Sequence, residues 1–294
     1  MGGDGMIGFG LWSYFRASGV HEAVASARST RDAAAFRRFG DGLLYISGHL
    51  ATDGEIDALF AATSPDVVVN CAGVTFHTEQ GMDPLVAIPA NAVLPHRLHA
   101  AARRIGARLI HITTDCVYKG DRGHYSEGDE PDAPGLYGRS KVLGEIADAD
   151  DALTIRTSTV GFELSSARGL LGWFLAQQGK LKGFTRAYFS GLATPELGRA
   201  IERYVLTDQS LCGLYHVAGP KISKFELLTL FKEAFGSTVE IVSDDELAID
   251  RSLDGSKFSS KTGYAAPSWE DMVAQIVDFA PSYPESAATS CQRG

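Results

Sequence analysis

The chain has 294 residues, 45% of them hydrophobic and 21% charged, with 27 basic against 36 acidic side chains for a net charge of −9. That length suits two domains or one large α/β unit with a real core, and the composition excludes wholesale disorder. The acidic balance argues against a nucleic-acid or anionic-membrane partner, and no apolar run reaches the roughly 18 residues that a bilayer span needs. Cys71, Cys116, Cys212 and Cys291 are widely spaced without a CxxC pair. Neither a disulfide framework nor a metal site is expected, and a reducing cytoplasm fits. The N-terminus lacks the basic-then-apolar order of a signal peptide.

Glycines at positions 2, 5 and 8 open the chain, and an amphipathic stretch with Phe9, Leu11, Trp12 and Phe15 predicts a helix ending near Gly19. A glycine loop feeding a helix N-terminus cradles a pyrophosphate, because backbone N–H groups face the anion and no Cβ blocks its approach. Gly2, Gly5, Met6, Ile7 and Gly8 are therefore candidate cofactor residues. Strands are predicted over 20–27, 43–46, 66–70, 109–112 and 153–155, with helices over 55–62, 93–105 and 140–148. This alternation predicts a parallel, doubly wound α/β sheet of Rossmann type.

Beyond residue 161 the alternation loosens. Helices are expected over 170–177, 224–235 and 269–279, and one more strand over 214–217. The expected organisation is a dinucleotide-binding domain over 1–161 with a return segment over 187–218. A smaller interleaved substrate lobe covers 162–186 and 219–281, and a disordered tail covers 282–294.

The strongest chemical constellation is Thr114 with Tyr137 and Lys141. Tyrosine and lysine four apart on a helix share one face, so the ammonium is expected beside the phenol, favouring its phenolate. An unperturbed tyrosine has a pKa of about 10, too high for easy proton exchange at neutral pH. Thr114, at the end of a predicted strand, orients a carbonyl beside Tyr137. With a hydride donor opposite, the trio is a carbonyl-reduction apparatus.

The sequence resembles the extended short-chain dehydrogenase/reductases, and within them the dTDP-4-dehydrorhamnose reductase branch. The glycine loop, the stretches 66–73, 91–95 and 113–120, the Tyr137/Lys141 pair followed by Gly144 and Glu145, and the stretch 155–158 carry the resemblance. It continues through 213–219, 222–224, 251–254 and 268–270, so it covers the chain to about residue 280. The resemblance implies a reductase of a nucleotide-activated 4-keto-6-deoxysugar that uses NADPH or NADH, and a homodimer. Tyr137 would be the proton donor, Lys141 would bind the nicotinamide ribose, and Thr114 would hydrogen-bond the carbonyl. Ala72 and Gly73 would line the cofactor, with Asn91 behind the site. Thr75, Asp115, Cys116, Arg186 and Tyr188 are the candidate substrate contacts, Cys116 standing where the family usually carries an aromatic residue.

Arg28, with Ser29 or Arg31, stands where an NAD-selective site presents an acidic residue to the ribose; these groups suit a 2′-phosphate and predict a preference for NADPH. The residues leave two other readings open, a nucleotide-sugar epimerase or dehydratase and a non-catalytic nucleotide-binding regulatory subunit of the same fold. In this fold an apolar strand of about five or six residues precedes the glycine loop, where only Met1 precedes Gly2. A translation start upstream of Met1, or a truncated chain, is the expectation.

Overall fold

The computed structural model describes residues 1–36, 44–76, 78–164 and 167–280; the tail expected over 282–294 lies outside the described residues. The glycine loop enters α1 (Met6–Ser18), followed by β1 (Ala25–Ala27), α2 (Thr30–Phe36), β2 (Leu44–Ile46), α3 (Asp53–Thr63) and β3 (Val67–Asn70). Two short helices, α4 (Glu79–Met82) and α5 (Pro84–Ile88), run through a π-helical turn, Pro89–Val93, into α6 (Leu94–Ile105). Then come β4 (Arg108–Thr114), α7 (Leu136–Leu143), β5 (Ala152–Thr157), β6 (Thr159–Val160), α8 (Leu170–Leu175), β7 (Lys180–Phe184), β8 (Ala187–Phe189) and β9 (Leu192–Ala193). The chain closes with α9 (Thr194–Ala200), β10 (Gly213–His216), β11 (Ile222–Ser223), α10 (Lys224–Ala234), β12 (Glu240–Asp244), β13 (Ile249–Asp250), α11 (Ser256–Thr262) and α12 (Trp269–Phe279).

The central sheet is parallel in the order β10-β5-β4-β3, and β4 pairs with β5 from Leu109 opposite Ala152 to Thr114 opposite Thr157. Every residue of β5 is buried, the signature of a parallel strand covered on both faces. On one face, Ile110, Ile112, Leu153 and Ile155 join a core with Leu197, Phe231 and Met272. On the other, Val68 and Leu109 pack with Ile56, Leu98 and Ala102 from α3 and α6. This is the doubly wound parallel arrangement that the strand and helix alternation implies.

The parallel pair β1-β2 is joined to this sheet through the first residues of the chain. The Met1 amine donates to the Val69 carbonyl at 2.8 Å, Cys71 N–H donates to the Met1 carbonyl at 3.2 Å, and Gly3 N–H donates to the Ser26 carbonyl at 2.8 Å. Residues 1–3 thus stand between β1 and β3, where the sequence reading puts the end of an apolar strand. Beside them lies a cavity of about 350 Å³ lined by Leu11, Phe15, Ala25, Phe60 and Val67.

Two differences from the expected elements bear on the site. Helix α7 begins at Leu136 and ends at Leu143 rather than running over 140–148, because Glu145 turns away to pair with Arg156. Both guanidinium contacts are short, 2.6 and 2.8 Å, and both side chains are buried. Downstream of residue 161, short strands form that the sequence did not announce: β7 pairs with β12, and β8 lies between β11 and β13. At two to five residues each, they are too short for a period to register.

Two core histidines give the fold a pH signature. Burial holds the His111 pKa down at about 3 and that of His216 at about 4. Both are neutral when folded, so the unfolded chain binds the extra protons as the pH falls below about 6.5. Between pH 6.5 and 5 the unfolding free energy is expected to drop by about 2 kcal/mol for each histidine. Denaturant titrations across that range check this; a flat profile contradicts it.

Candidate functional site

The glycine loop is built by close approach. Gly2 has φ of +67°, and a Cβ there would lie 2.8 Å from the Ala72 backbone; at Gly8 a Cβ would fall 2.1 Å from the Gly2 carbonyl oxygen. Helix α1, its entry loop and the segment after β3 are therefore pressed together where no side chain fits. Gly5 caps α1, and the first helical bond runs from Phe9 N–H to the Gly5 carbonyl. The N–H groups of Met6, Ile7 and Gly8 belong to the first turn, which has no intrahelical acceptor for them. The loop fits a dinucleotide pyrophosphate on this geometry.

Arg28 follows β1 at the rim of this loop, but it does not stand free for a 2′-phosphate. Its Nε and Nη2 donate to Asp4 Oδ2 at 3.2 and 3.1 Å. Asp4, an acidic residue inside the glycine loop, is the partner that the sequence reading did not consider. Ser29 enters α2, its carbonyl accepting from Ala33 N–H; the side chain of Arg31 lies outside the described residues.

Beyond the loop, Gly73 forms the floor of the cleft. A Cβ at Gly73 would lie 2.6 Å from Lys141 Nζ and 2.8 Å from Asn91 Oδ1. Asn91 is fully buried in the π-helical turn: Val74 N–H donates to its Oδ1 at 2.9 Å, and its Nδ2 donates to the Val74 carbonyl and to Ser140 Oγ at 3.0 and 3.1 Å. Asn70 holds the preceding residue, its Oδ1 accepting from Ala72 N–H and its Nδ2 donating to His111 Nδ1.

Thr114 ends β4 and caps a 3₁₀ turn, Asp115–Val117; its hydroxyl accepts from Cys116 N–H at 3.1 Å and contacts Asp115 Oδ1 at 3.2 Å. The Tyr137 phenol lies beside the Thr114 side chain, which acts on its ionisation. The Phe76 ring lies 5.4 Å from the Tyr137 ring, bringing the loop that carries exposed Thr75 to the same mouth. Thr114, Tyr137 and Lys141 thus converge on one cleft with Gly73.

The electrostatics differ from the expected pairing of phenol and ammonium. Burial pushes the Tyr137 pKa up, with Cys116 and Asp115 acting in the same direction, so the phenol is held protonated. Lys141, buried, is turned toward Gly73 and Cys71, and burial pulls its pKa down to about 8. Asp115 is raised by burial, and the Cys116 thiol is pushed up to about 12.

The RmlD substrate binding domain family matches residues 1–280. This chain belongs to that family. Its relatives include the dTDP-4-dehydrorhamnose reductase of Mycobacterium tuberculosis, 41% identical over 103 residues; the match spans 32% of this chain and 34% of that relative's length. The probable low-salt glycan biosynthesis reductase of Haloferax volcanii is 29% identical over 72% of this chain and 76% of its own. The crystal structure of Bacillus anthracis dTDP-4-dehydrorhamnose reductase in complex with NADP superposes with a TM-score of 0.73, covering 94% of this chain and 96% of that one. At 19% identity it establishes the shared Rossmann-like fold.

Of the expected substrate contacts, the structure gathers Asp115, Cys116 and the loop that carries Thr75, but not Arg186 or Tyr188. Arg186 stands exposed in the turn between β7 and β8. Tyr188 lies under the Lys221 ammonium, 4.3 Å from its ring centroid, on the opposite side of β8 from Phe189. Lys224 and Arg251 stand there instead. Arg251 Nη1 lies 3.8 Å from Cys116 Sγ, and Lys224 and Arg251 both act electrostatically on Asp115. Both fall in stretches that carry the family resemblance, the one signal that could have found them. Among the described residues no group of three His, Cys, Asp or Glu is placed to hold a metal ion, and no helix is long and apolar enough to cross a membrane.

Gly8→Ala puts a methyl group into the 2.1 Å gap before the Gly2 carbonyl. It is expected to weaken NADPH binding at least tenfold by fluorescence titration. Gly54→Ala in α3, where a Cβ meets nothing within 4 Å, is expected to change it less than twofold. Equal affinities for both variants contradict the cradle.

Proposed function

We propose that the protein is an NAD(P)H-dependent reductase of a nucleotide-activated 4-keto-6-deoxysugar. The observation that carries this is the protonated Tyr137 phenol beside Thr114, in one cleft with the Gly73 floor and Lys141. The names of the RmlD relatives supply the substrate class. Gly2, Gly5, Met6, Ile7 and Gly8 would hold the cofactor pyrophosphate, with Ala72 and Gly73 along its length and Lys141 at the nicotinamide ribose. When bound, the cofactor supplies a hydride to the ketone carbon.

Thr114 hydrogen-bonds the ketone oxygen and fixes the carbonyl beside Tyr137. As negative charge develops on that oxygen, the Tyr137 phenol gives up its proton to it. The Lys141 ammonium, carried on the same face of α7, would offset the phenolate charge that remains. A phenol kept protonated by burial suits proton donation. Epimerisation has to begin by removing a proton from a sugar hydroxyl, which this environment disfavours.

Tyr137→Phe is expected to lower kcat by about 10² to 10⁴, the usual worth of a positioned acid, while the NADPH dissociation constant stays within about threefold. Wild-type turnover in this variant overturns the reading. The rate is also expected to fall as the pH rises through about 8, where Lys141 loses its proton. A profile level to pH 9.5 contradicts that role for Lys141.

We further propose that Arg28 favours NADPH and that Asp4 competes with the 2′-phosphate for it. Arg28 remains half exposed beyond its ion pair with Asp4. Asp4→Asn should lower KM for NADPH severalfold and leave KM for NADH within twofold. An unchanged ratio of the two contradicts the competition.

A further inference from the structure

Lys141 carries a charge into the buried end of the cleft, and few groups there can offset it. Among the described residues no carboxylate stands in ion-pair contact with its ammonium. Beyond Tyr137, one turn back on its own helix, three titratable groups interact with it. Cys71 follows β3, but burial pushes that thiol up to about 11, so it carries no charge near neutral pH. His111 in β4 is kept neutral by burial, and as a cation it would only oppose the ammonium. The third is Glu145, just beyond α7, the one carboxylate that acts on Lys141.

The position of Glu145 is fixed from both ends. Gly144 N–H donates to the Lys141 carbonyl and Glu145 N–H to the Val142 carbonyl, each at 3.1 Å, so the backbone turns once more past α7. A Cβ at Gly144 would run into the Asn91 carbonyl, which seats the end of the helix flush on the π-helical turn. From β5, Arg156 takes both carboxylate oxygens of Glu145 through Nε and Nη2. Its Nη1 donates to the Tyr118 hydroxyl at 2.7 Å. Tyr118 in turn stacks on Tyr125, with 4.1 Å between ring centroids, and its N–H donates to the Asp115 carbonyl at 3.0 Å. A continuous set of contacts therefore runs from the Thr114 turn through Tyr118 and Arg156 to Glu145. A buried ion pair is a weak source of stability, because desolvation offsets much of the attraction. Fixing an anion beside an ammonium that has no other is a use that justifies its cost.

We propose that Glu145 is a positioning residue of the site: Arg156 and Tyr118 hold its carboxylate in place, and from there its negative charge stabilises the Lys141 ammonium. The proposal rests on the reading of Lys141 as the group that offsets the Tyr137 phenolate. Glu145 touches neither substrate nor cofactor and acts through Lys141.

Carbon-13 NMR of the full chain reads this without turnover. Lysine labelled at Cε reports the ionisation of Lys141, assigned through Lys141→Arg, and glutamate labelled at Cδ reports Glu145, assigned through Glu145→Asp. In the wild-type chain Lys141 is expected to titrate at about 8, and the Glu145 signal to move with the same midpoint. Glu145→Gln keeps the shape of the group and an acceptor oxygen but loses the charge. The Lys141 midpoint is expected to fall in it by about one pH unit, because an anion that favoured the ammonium is gone. The alkaline limb of the reduction rate should move down by the same amount. Glu145→Asp restores the charge and should return most of the shift. Glu196→Gln serves as the control: Glu196 is a fully buried carboxylate paired with Arg199 in α9. That variant is expected to melt at a lower temperature and to leave the Lys141 midpoint where it is.

An unmoved Lys141 midpoint in folded Glu145→Gln overturns the proposal. So does a wild-type Glu145 signal that stays flat while Lys141 titrates, a result that needs no substitution to be read. An equal fall in Glu196→Gln overturns it too, since the cause would then be lost packing. If the midpoint depends on Glu145 but no 4-keto-6-deoxysugar nucleotide drives NADPH oxidation, the coupling of Glu145 to Lys141 stands and the reductase reading fails.

Discussion

The fully buried side chain of Asn91 is the contact on which the cleft depends. Its amide binds both backbone groups of Val74 and the hydroxyl of Ser140, so one side chain fixes the segment after β3 against α7. The π-helical turn Pro89–Val93 aims it there, a local distortion of the kind found at functional sites. Ser140 in turn donates to the Tyr137 carbonyl, and Lys141 is the next residue. Because Gly73 has no Cβ, the Lys141 ammonium and the Asn91 amide both reach its backbone. Each buried amide bond left unmade would cost about 1–3 kcal/mol, so the parts hold one another in place.

Desolvation around this junction acts in opposite directions on its two titratable groups. It raises the phenol of Tyr137 and lowers the ammonium of Lys141, because in each case the neutral form is favoured. Tyr137 is thereby kept as an acid, and Lys141 keeps its charge at neutral pH with little to spare. Holding that ammonium in the cleft costs the fold about 3 kcal/mol, the difference between a free lysine and one with a pKa of about 8. Such a charge has no structural benefit in proportion to its cost, which is why we read it as functional. The buried pair of Glu145 and Arg156 behind α7 is fully matched, by contrast, and ends the helix.

What was legible in the sequence was local. The glycine loop, the apolar runs that became β3, β4 and β5, and the four-residue spacing of Tyr137 and Lys141 all lie within single elements, and the structure assembles them in one cleft. The extent of β1 was overread: its first residues were expected in a strand, yet Val20 stands 70% exposed and pairing starts only at Ala25. What was not legible needed distant partners. The Asp4 contact of Arg28 spans 24 residues and the Cys116 contact of Arg251 spans 135, and neither leaves a periodic trace. The direction of the Lys141 head was hidden for the same reason, since helical spacing gives a face but not the absence of a Cβ at Gly73. The short strands of the second half pair across similar separations, Lys180 with Glu240 among them.

Deuteride transfer tests the central claim most directly. The purified protein is incubated with NADPH carrying deuterium at the reactive position of its nicotinamide and with a nucleotide-linked 4-keto-6-deoxysugar such as dTDP-4-dehydrorhamnose. The account predicts one deuterium at C4 of the sugar for each NADPH oxidised, read by NMR. No NADPH oxidation across a panel of such sugars, or oxidation without label at C4, would contradict it.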